Sequence, residues 1–243
     1  MRLAAISDIH GNLPALEAVA ADLRRQAPDA LVCLGDISLR GPRPAECVDL
    51  LRSLAPLAVV RGNHDDCLTD EDFVPHSFKE ERDLHQIRWH NRRVPKATFD
   101  WLTSLPVQEH LTLEGVRVDL FHAAPGSLTE VNYPWAPEEN LSKLCLDESA
   151  GLVLYGHIHR GFVRHAGGRM VANPGSVGIP FDGDTRAAYA IIDIEAGNIA
   201  VQLRRITYDV ELAVQLAREM PMPEAMIDSL RTAAFTFHMP YHT

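Results

Sequence analysis

The sequence has few of the features that place a protein in or across a membrane. Its 243 residues contain no apolar run that approaches the roughly 18 residues needed to span a bilayer. The apolar run Leu3–Ile6 is too short for the core of a signal peptide, because Asp8 soon interrupts it. We therefore expect no membrane association and a cytoplasmic location.

Cysteine is also scarce. A chain of this length with four cysteines, none of them in a CxxC arrangement, needs no disulfide framework. These residues are Cys33, Cys47, Cys67 and Cys145. We expect all four to be reduced.

Basic residues are outnumbered by acidic ones, 23 against 33, which gives a net charge of −10. This balance argues against a broad positive surface for nucleic acid or anionic lipid, although bound metal ions could attract phosphate locally. We therefore expect no stable nucleic-acid binding. Repeats and low-complexity tracts are absent from the sequence, and the apolar fraction of 46% is typical of a globular protein. We expect a single domain over residues 1–243.

Short apolar runs alternate with helical patterns in the first third of the chain. The predicted strands are Leu3–Ser7, Ala30–Leu34 and Leu57–Val60, and the helices between them are Leu13–Arg25 and Ala45–Leu54. Three strands joined by two helices predict a parallel sheet with right-handed crossovers.

The remaining sequence predicts a helical insertion, later strands that are partly antiparallel, and terminal helices. Residues 67–93 are polar and aromatic without a strand pattern, which predicts the insertion, and residues 209–243 predict the C-terminal helices. A hairpin is predicted around Glu114-Gly115. The other predicted helices are Thr98–Leu105 and Glu138–Glu148, and the other strands are Leu111–Leu113, Val116–Phe121, Leu152–Tyr155, Met170–Ala172, Ala187–Ile194 and Ile199–Ile206.

Five of the predicted strands end in the same way, with side chains that commonly bind metals. These are Asp8 and His10, then Asp36, then Asn63 and His64, then His122, then His157 and His159. In α/β sheets, ligands collect outside the carboxyl ends of the strands, so we expect these side chains to form one pocket. A single histidine beside a strand would more often be a surface or core residue.

The types and spacing of these residues predict metal binding. Asp8 and His10 are two residues apart, as are His157 and His159, so each pair could project to one side of an extended segment and hold one ion. Asp36 could bridge two ions with its carboxylate. Imidazole and carboxylate together suit transition metals better than calcium or magnesium. We predict two divalent ions, manganese first, with iron, zinc or nickel as alternatives.

Two metal ions about 3.5–4 Å apart can polarise a phosphoryl oxygen, generate hydroxide from a shared water and clamp an in-line displacement. Hydrolysis of phosphate esters needs all three effects. The strand-end residues therefore predict a metal-dependent hydrolase of phosphate esters.

The same residues form motifs in a recognisable order. The motifs are D-x-H at Asp8–His10, G-D at Gly35-Asp36, G-N-H-D at Gly62–Asp65, His122, and G-H-x-H at Gly156–His159. This set resembles the calcineurin-like metallophosphoesterase superfamily, which implies a four-layer αββα sandwich of two mixed sheets flanked by helices. The resemblance implies that Asp8, His10, Asp36 and His159 bind one metal, that Asp36, Asn63, His122 and His157 bind the other, and that His64 assists the leaving group.

Two further segments bear on the substrate. The segment from Asn173 to Gly178 resembles the small bacterial and archaeal phosphodiesterase branch of that superfamily. The segment Gly35–Pro42 is similar to the G-D-x-x-x-R-G motif of phosphoprotein phosphatases and diadenosine tetraphosphate hydrolases, which implies a phosphate contact for Arg40, although Leu39 departs from that pattern. The alternative for Arg40 is a solvated loop arginine.

Three weaker predictions complete the site. Asp65 could orient His64, or only cap the following turn. The backbone amides from Asn173 to Gly178 could cradle phosphate, or the segment could simply be a strand exit. Four residues of the insertion could line a substrate rim, although a solvated helix face is the better interpretation: His85, His90, Arg92 and Arg93.

The favoured function is hydrolysis of phosphodiesters or nucleotide polyphosphates by attack of a metal-bridging hydroxide, with a small phosphorylated substrate such as a nucleotide. A phosphomonoesterase acting on phosphoprotein is the alternative that Arg40 favours. A metal-dead interaction module is the alternative from another class, and the complete set of ligand-type residues argues against it.

Overall fold

The computed structural model describes residues 1–66 and 78–234. Predictions that fall on residues 67–77, including Cys67 and the start of the insertion, and on residues 235–243 lie outside the described residues. The strands are β1 Arg2–Ile6, β2 Ala30–Cys33, β3 Ala58–Val59, β4 Gln108–Leu113, β5 Val116–Phe121, β6 Leu152–Tyr155, β7 Phe162–Ala166, β8 Arg169–Asn173, β9 Ala187–Glu195 and β10 Asn198–Ile206. The helices are α1 Leu13–Gln26, α2 Pro44–Ser53, α3 Asn63–Asp66, α4 Phe78–Asn91, α5 Lys96–Ser104, α6 Glu138–Ser142, α7 Val210–Ala217 and α8 Glu224–Thr232.

The strands form two five-stranded mixed sheets, as predicted. The first sheet has the order β10-β9-β1-β2-β3, and the second has the order β4-β5-β6-β8-β7. Strands β1, β2 and β3 are parallel, as are β5, β6 and β8. The carboxyl ends of these parallel strands carry all the ligand-type residues singled out above.

Helix α1 shows how the local sequence builds one of the outer layers. The Asn12 side chain accepts a hydrogen bond from the amide of Ala15 and caps the helix, and a proline occupies its first turn. Leu16, Val19 and Leu23 repeat at helical spacing and are buried against the first sheet. The helix ends at Ala27, which adopts a left-handed conformation. The Asn12 cap therefore fixes the loop between β1 and α1 at its helical end.

Alternate residues of β1 pack into two different cores. Leu3 and Ala5 lie in the core between the two sheets, whereas Ala4 and Ile6 lie in the core beneath α1 and α2. A third core covers the outer face of the second sheet, where Tyr155 packs with Leu141 of α6. The order helix, sheet, sheet, helix confirms the predicted four-layer αββα sandwich.

Three tight hairpin turns, at Glu114-Gly115, Gly167-Gly168 and Ala196-Gly197, use left-handed residue pairs. Glu114 and Gly115 have φ values of 48° and 79°, as the prediction of a hairpin there requires. Ala196 and Gly197 have φ values of 49° and 80° and form a two-residue turn, because Asn198 already pairs in β10. The strand predicted over Ile199–Ile206 thus begins one residue earlier, at Asn198.

One predicted helix needs correction, and one strand was not predicted. The helix predicted over Glu138–Glu148 ends at Ser142, because the buried carboxylate of Asp119 accepts the amides of Leu146 and Asp147 and draws the chain onto β5. Strand β7 was not predicted, since its sequence FVRHA has no clear alternation. In the part of the chain that the structure describes, no helix is long and apolar enough to cross a membrane.

Candidate active site

The carboxyl ends of β1, β2 and β6 bring four of the predicted ligands into one buried group. The ligand atoms of these four residues all lie within 4.8 Å of one another: Asp8, His10, Asp36 and His159. The Nε2 atoms of His10 and His159 are 3.2 Å apart, and His159 Nε2 is 3.2 Å from Asp8 Oδ1. We call this group the first cluster.

A second cluster forms beside the first, at the ends of β3, β5 and β6. The Oδ1 atom of Asn63 lies 3.0 Å from His122 Nε2 and 2.9 Å from His157 Nδ1, and these two ring nitrogens are 3.3 Å apart. Asp36 Oδ2 is 3.5 Å from His122 Nε2 and 3.6 Å from His10 Nε2. A single carboxylate oxygen therefore lies between the two clusters.

Backbone carbonyls orient the imidazoles of His10, His122 and His159. The Nδ1 atoms of His10, His122 and His159 lie 2.9, 2.7 and 2.5 Å from the carbonyl oxygens of Leu39, Leu34 and Ile179, respectively. A ring that donates from Nδ1 presents the lone pair of Nε2. All three Nε2 atoms consequently face the clusters as acceptors.

The nitrogen and oxygen atoms of the first cluster are suited to binding a cation. With Nδ1 protonated, His10 and His159 bring two nitrogen lone pairs together with Asp8 Oδ1, which is buried and has no hydrogen-bond donor among the described residues. Buried acceptors facing one another are unfavourable unless a positive charge lies between them. Nitrogen and carboxylate oxygen are ligands that divalent transition metals accept. This part of the site supports divalent metal binding.

Burial shifts the pKa values of several of these side chains. Burial, together with the charge of Asp8, raises the pKa of Asp36 to about 7. Burial lowers the pKa of His10 well below its ordinary value and that of His157 to about 4, so both rings are neutral at neutral pH. The pKa of Asp36 is raised because its negative charge is buried beside that of Asp8, and the neutral imidazoles do not compensate for it. A bound cation would therefore stabilise the ionised carboxylates.

Five of the predicted ligands have left-handed backbone conformations. They are Asp8, His10, Asp36, His157 and His159, with φ values from 49° to 68°. Such conformations cost roughly 1–2 kcal/mol for residues other than glycine and gather at functional sites. The spacing had suggested that each pair lies on an extended segment. The left-handed φ values show that neither pair does. The prediction that each pair holds one ion is wrong for His157 and His159, which lie in different clusters.

The segment from Asn173 to Gly178 supports the metal-site loops. Ser176 Oγ donates to the carbonyl of Asp8 at 2.8 Å, the Gly178 amide donates to the same carbonyl at 2.9 Å, and the Val177 amide donates to Ser7 at 2.9 Å. The side-chain amide of Asn173 donates to Gly156 at 2.6 Å. Amides used in this way cannot cradle a phosphate, so the interpretation as a strand exit is the better one.

Asp65 connects two loops of the site. Its carboxylate oxygens accept the amides of Ile37 and Gly62, each at 3.0 Å. Gly62 packs so closely that a Cβ there would lie 2.1 Å from Asp36 Oδ1. The prediction that Asp65 orients His64 is therefore corrected, because both of its oxygens bind backbone amides instead.

His64 stands beside the clusters. Its backbone amide donates to Asp36 Oδ1 at 2.8 Å, and its ring centroid lies 5.3 Å from that of His10. Burial, followed by the charge of Arg40, lowers the pKa of His64 well below its ordinary value. The ring lines the cleft that opens above the clusters.

This cleft has a volume of about 250 Å³. Its floor includes Asp36, Asn63, His157 and His159, and Arg40 lies in its wall, as the prediction of a phosphate contact requires. The wall also contains side chains that the sequence analysis did not single out: Val131, Tyr133, Ile158, Arg160 and Phe181. Arg160 could have been suspected, because it directly follows a ligand, but the aromatic residues lie in loops without any motif.

None of the insertion side chains that the structure describes lines this cleft. His90 is buried in α4, where burial lowers its pKa to about 4. His85, Arg92 and Arg93 are exposed, and Arg93 lies over the ring of Trp89 at 4.0 Å. The interpretation as a solvated helix face holds for His85 and is wrong for His90, whereas Arg92 and Arg93 are exposed just after α4 ends.

Comparison with known proteins agrees with this geometry. A family model described as the calcineurin-like phosphoesterase superfamily domain matches residues 1–197. The chain is 30% identical over 239 residues to the uncharacterised protein MJ0912 of Methanocaldococcus jannaschii, covering 91% of this chain and 94% of that one. It is 29% identical over 202 residues to the phosphodiesterase YfcE of Escherichia coli K12, covering 79% and 88%. The crystal structure of a metallophosphoesterase from Sphaerobacter thermophilus has a TM-score of 0.80 at 30% identity, covering 96% of this chain and 99% of that one.

The fold, the buried donor set and these matches define a metal-dependent hydrolase of phosphoric esters. The chain belongs to the calcineurin-like phosphoesterase superfamily. The predictions of family, fold and enzyme class are thereby confirmed.

Proposed function

We propose that the protein hydrolyses small phosphodiesters, or nucleotide polyphosphates, with two divalent transition-metal ions. The observation that carries this proposal is the position of Asp36 Oδ2, which lies 3.6 Å from His10 Nε2 and 3.5 Å from His122 Nε2. Asp8, His10, Asp36 and His159 would hold one ion, and Asp36, Asn63, His122 and His157 would hold the other. Manganese is the proposed metal, with iron, zinc or nickel as alternatives.

Two such ions would supply positive charge for the phosphoryl oxygens and lower the pKa of water to near neutrality. The residues of the chain provide the remaining functions. Arg40, in the cleft wall, would bind a non-bridging oxygen with its planar guanidinium group. The positive charge of Arg40 complements the negative charge of the ester, whose phosphate would lie on the floor of the cleft.

His64 would protonate the leaving oxygen. Its ring lies in the cleft beside the first cluster and outside both groups of ligands. Burial lowers the pKa of His64 in this structure. The negative charge of a bound ester opposes that effect and favours the protonated ring that an acid catalyst needs.

The direct test compares bis(4-nitrophenyl) phosphate with 4-nitrophenyl phosphate on the metal-loaded protein. The proposal expects a higher kcat/KM for the diester. A preference for the monoester would favour a phosphomonoesterase, the candidate that Arg40 in the cleft supports, and a phosphopeptide would then be the next substrate to assay. A protein that binds no metal and hydrolyses neither ester would point to an interaction module.

A further inference from the structure

Two exposed aromatic side chains lie at the cleft: Tyr133 lines it, and Trp135 stacks on Tyr133. Tyr133 is 40% exposed, and Trp135 is 68% exposed. Their rings stack with centroids 4.8 Å apart and planes 12° from parallel. Large aromatic side chains are usually buried, because burial of their apolar surface is favourable. A pair of stacked rings left exposed to solvent is therefore typical of a binding surface.

The backbone of this loop is held in place by the second sheet. The hydroxyl of Tyr155, at the end of β6, donates to the carbonyl of Asn132. Arg164 of β7 donates to the carbonyls of Pro134 and Ala136 at 3.0 and 2.6 Å. Strand β6 also leads directly into the loop that carries His157 and His159, so the same strand fixes both the aromatic pair and the metal-site histidines.

The aromatic pair is continuous with the clusters. Tyr133 lines the same cleft as His64 and His157. Arg160 lines it as well, and its guanidinium carbon lies 5.8 Å from the ring centroid of Trp135. One cleft therefore combines metal ligands, a cation and an accessible aromatic surface.

We propose that Tyr133, Trp135 and Arg160 form a subsite for the nucleobase of a nucleotide ester whose phosphate lies on the clusters. This inference rests on the proposed function and specifies its substrate class. A nucleobase is a planar group, close to a phosphate, that can stack on aromatic rings and on guanidinium, and the stacking tolerates differences among bases. A simple alkyl or sugar phosphate has no planar face to offer.

The first experiment compares two diesters that share a leaving group, thymidine 5′-(4-nitrophenyl phosphate) and ethyl 4-nitrophenyl phosphate. The metal-loaded wild type should show a kcat/KM for the nucleoside ester at least about tenfold higher. Tyr133→Ala and Trp135→Ala should each reduce this ratio by about tenfold, the lower range of effects for loss of a stacking partner. Tyr133→Phe and Trp135→Phe should retain most of it.

Leu57→Ala is the matched control. Leu57 is 52% exposed and lies at the amino end of β3, opposite the end that carries the clusters, so its loss should leave the ratio unchanged. A wild-type ratio near one, or a ratio that survives both alanine substitutions, would overturn the subsite.

The second experiment measures binding by calorimetry, with AMP and ribose 5-phosphate as the two ligands. AMP should bind at least about tenfold more tightly, and Trp135→Ala should remove most of that difference. Equal binding of the two ligands would overturn the subsite whatever the protein hydrolyses. If AMP binds preferentially but neither diester is hydrolysed, the subsite stands and the proposed function fails.

Discussion

The two clusters share Asp36 but differ in burial and charge. All four residues of the first cluster are at most 3% exposed, and two of them are carboxylates. In the second cluster, Asn63 and His157 are partly exposed at the cleft, and Asn63 contributes a neutral amide. Because ligand charge and exclusion of water both strengthen the binding of a cation, we expect the first cluster to hold its ion more firmly.

This difference suggests a division of roles. A firmly held ion, surrounded by carbonyl-oriented imidazoles, would position the shared carboxylate, whereas an ion at the open cluster would meet the substrate. The ion at the open cluster could also exchange without disturbing the buried one.

The largest effect is expected for Asp36→Ala. Asp36 Oδ2 is the atom that lies between the two clusters, so its loss should weaken both ions and reduce activity to background. Elemental analysis of the purified variant should find well under the about two ions per chain expected of the wild type. Asp193→Ala, which removes an exposed carboxylate paired with Arg2, should change neither quantity. Full loading of the Asp36 variant would show that the clusters do not depend on a common bridge.

His64→Ala separates chemistry from metal binding. The ring belongs to neither cluster, so both ions should remain while kcat on alkyl phosphodiesters falls by about 10²–10⁴-fold, the usual contribution of a positioned acid. Esters of acidic phenols, whose leaving groups need no proton, should lose much less.

The measurements for this variant are metal content and kcat on the two kinds of ester, with the exposed His110→Ala as the control. Loss of metal would make His64 a ligand. An equal loss of rate on both esters would assign it to binding of the phosphoryl group.

Stepwise chelation tests the predicted order of affinity. His157 and His159 are two residues apart in one loop but lie in different clusters, which makes them a matched pair. His157→Ala should release one ion at lower chelator concentration and leave the other in place. His159→Ala should weaken the firmly held ion by more than the roughly 10–100-fold typical of losing an outer partner of a ligand. A single release step, identical in both variants, would contradict the division between the clusters.

Much of the fold, and the gathering of the candidate site residues, could be predicted because both rest on repeated local signals. Apolar runs that each end in a ligand-type residue indicate strands and also their common edge. The prediction was wrong where long-range contacts decide the outcome. Asp119 ends the predicted helix after Ser142, and the amides of Ile37 and Gly62 take the carboxylate expected to orient His64.

The cleft wall could not be predicted for a different reason. Tyr133 and Trp135 are exposed loop residues, and neither periodicity nor spacing distinguishes such residues from ordinary surface positions. Their significance comes from the hydrogen bonds of Tyr155 and Arg164, which hold the loop beside the clusters. The left-handed conformations of Asp8 and His10 could not be predicted from the sequence either, because the surrounding loops impose such φ values on residues other than glycine.

The smallest effect is expected for Ser176→Ala, and it should be confined to the first cluster. The Ser176 hydroxyl donates to the carbonyl of Asp8 and accepts the amide of Ile179, each at 2.8 Å, and the carbonyl of Ile179 orients the ring of His159. Loss of these two buried hydrogen bonds should cost about 1–3 kcal/mol of unfolding free energy.

In metal titrations, the same Ser176 variant should lose affinity only for the firmly held ion, because no member of the second cluster contacts this hydroxyl among the described residues. Ser149→Ala, which removes an exposed hydroxyl bonded to Asp147, provides the control for both measurements. If the Ser176 variant weakened both ions equally, the two clusters would respond as a single unit through Asp36, and burial alone would not distinguish them.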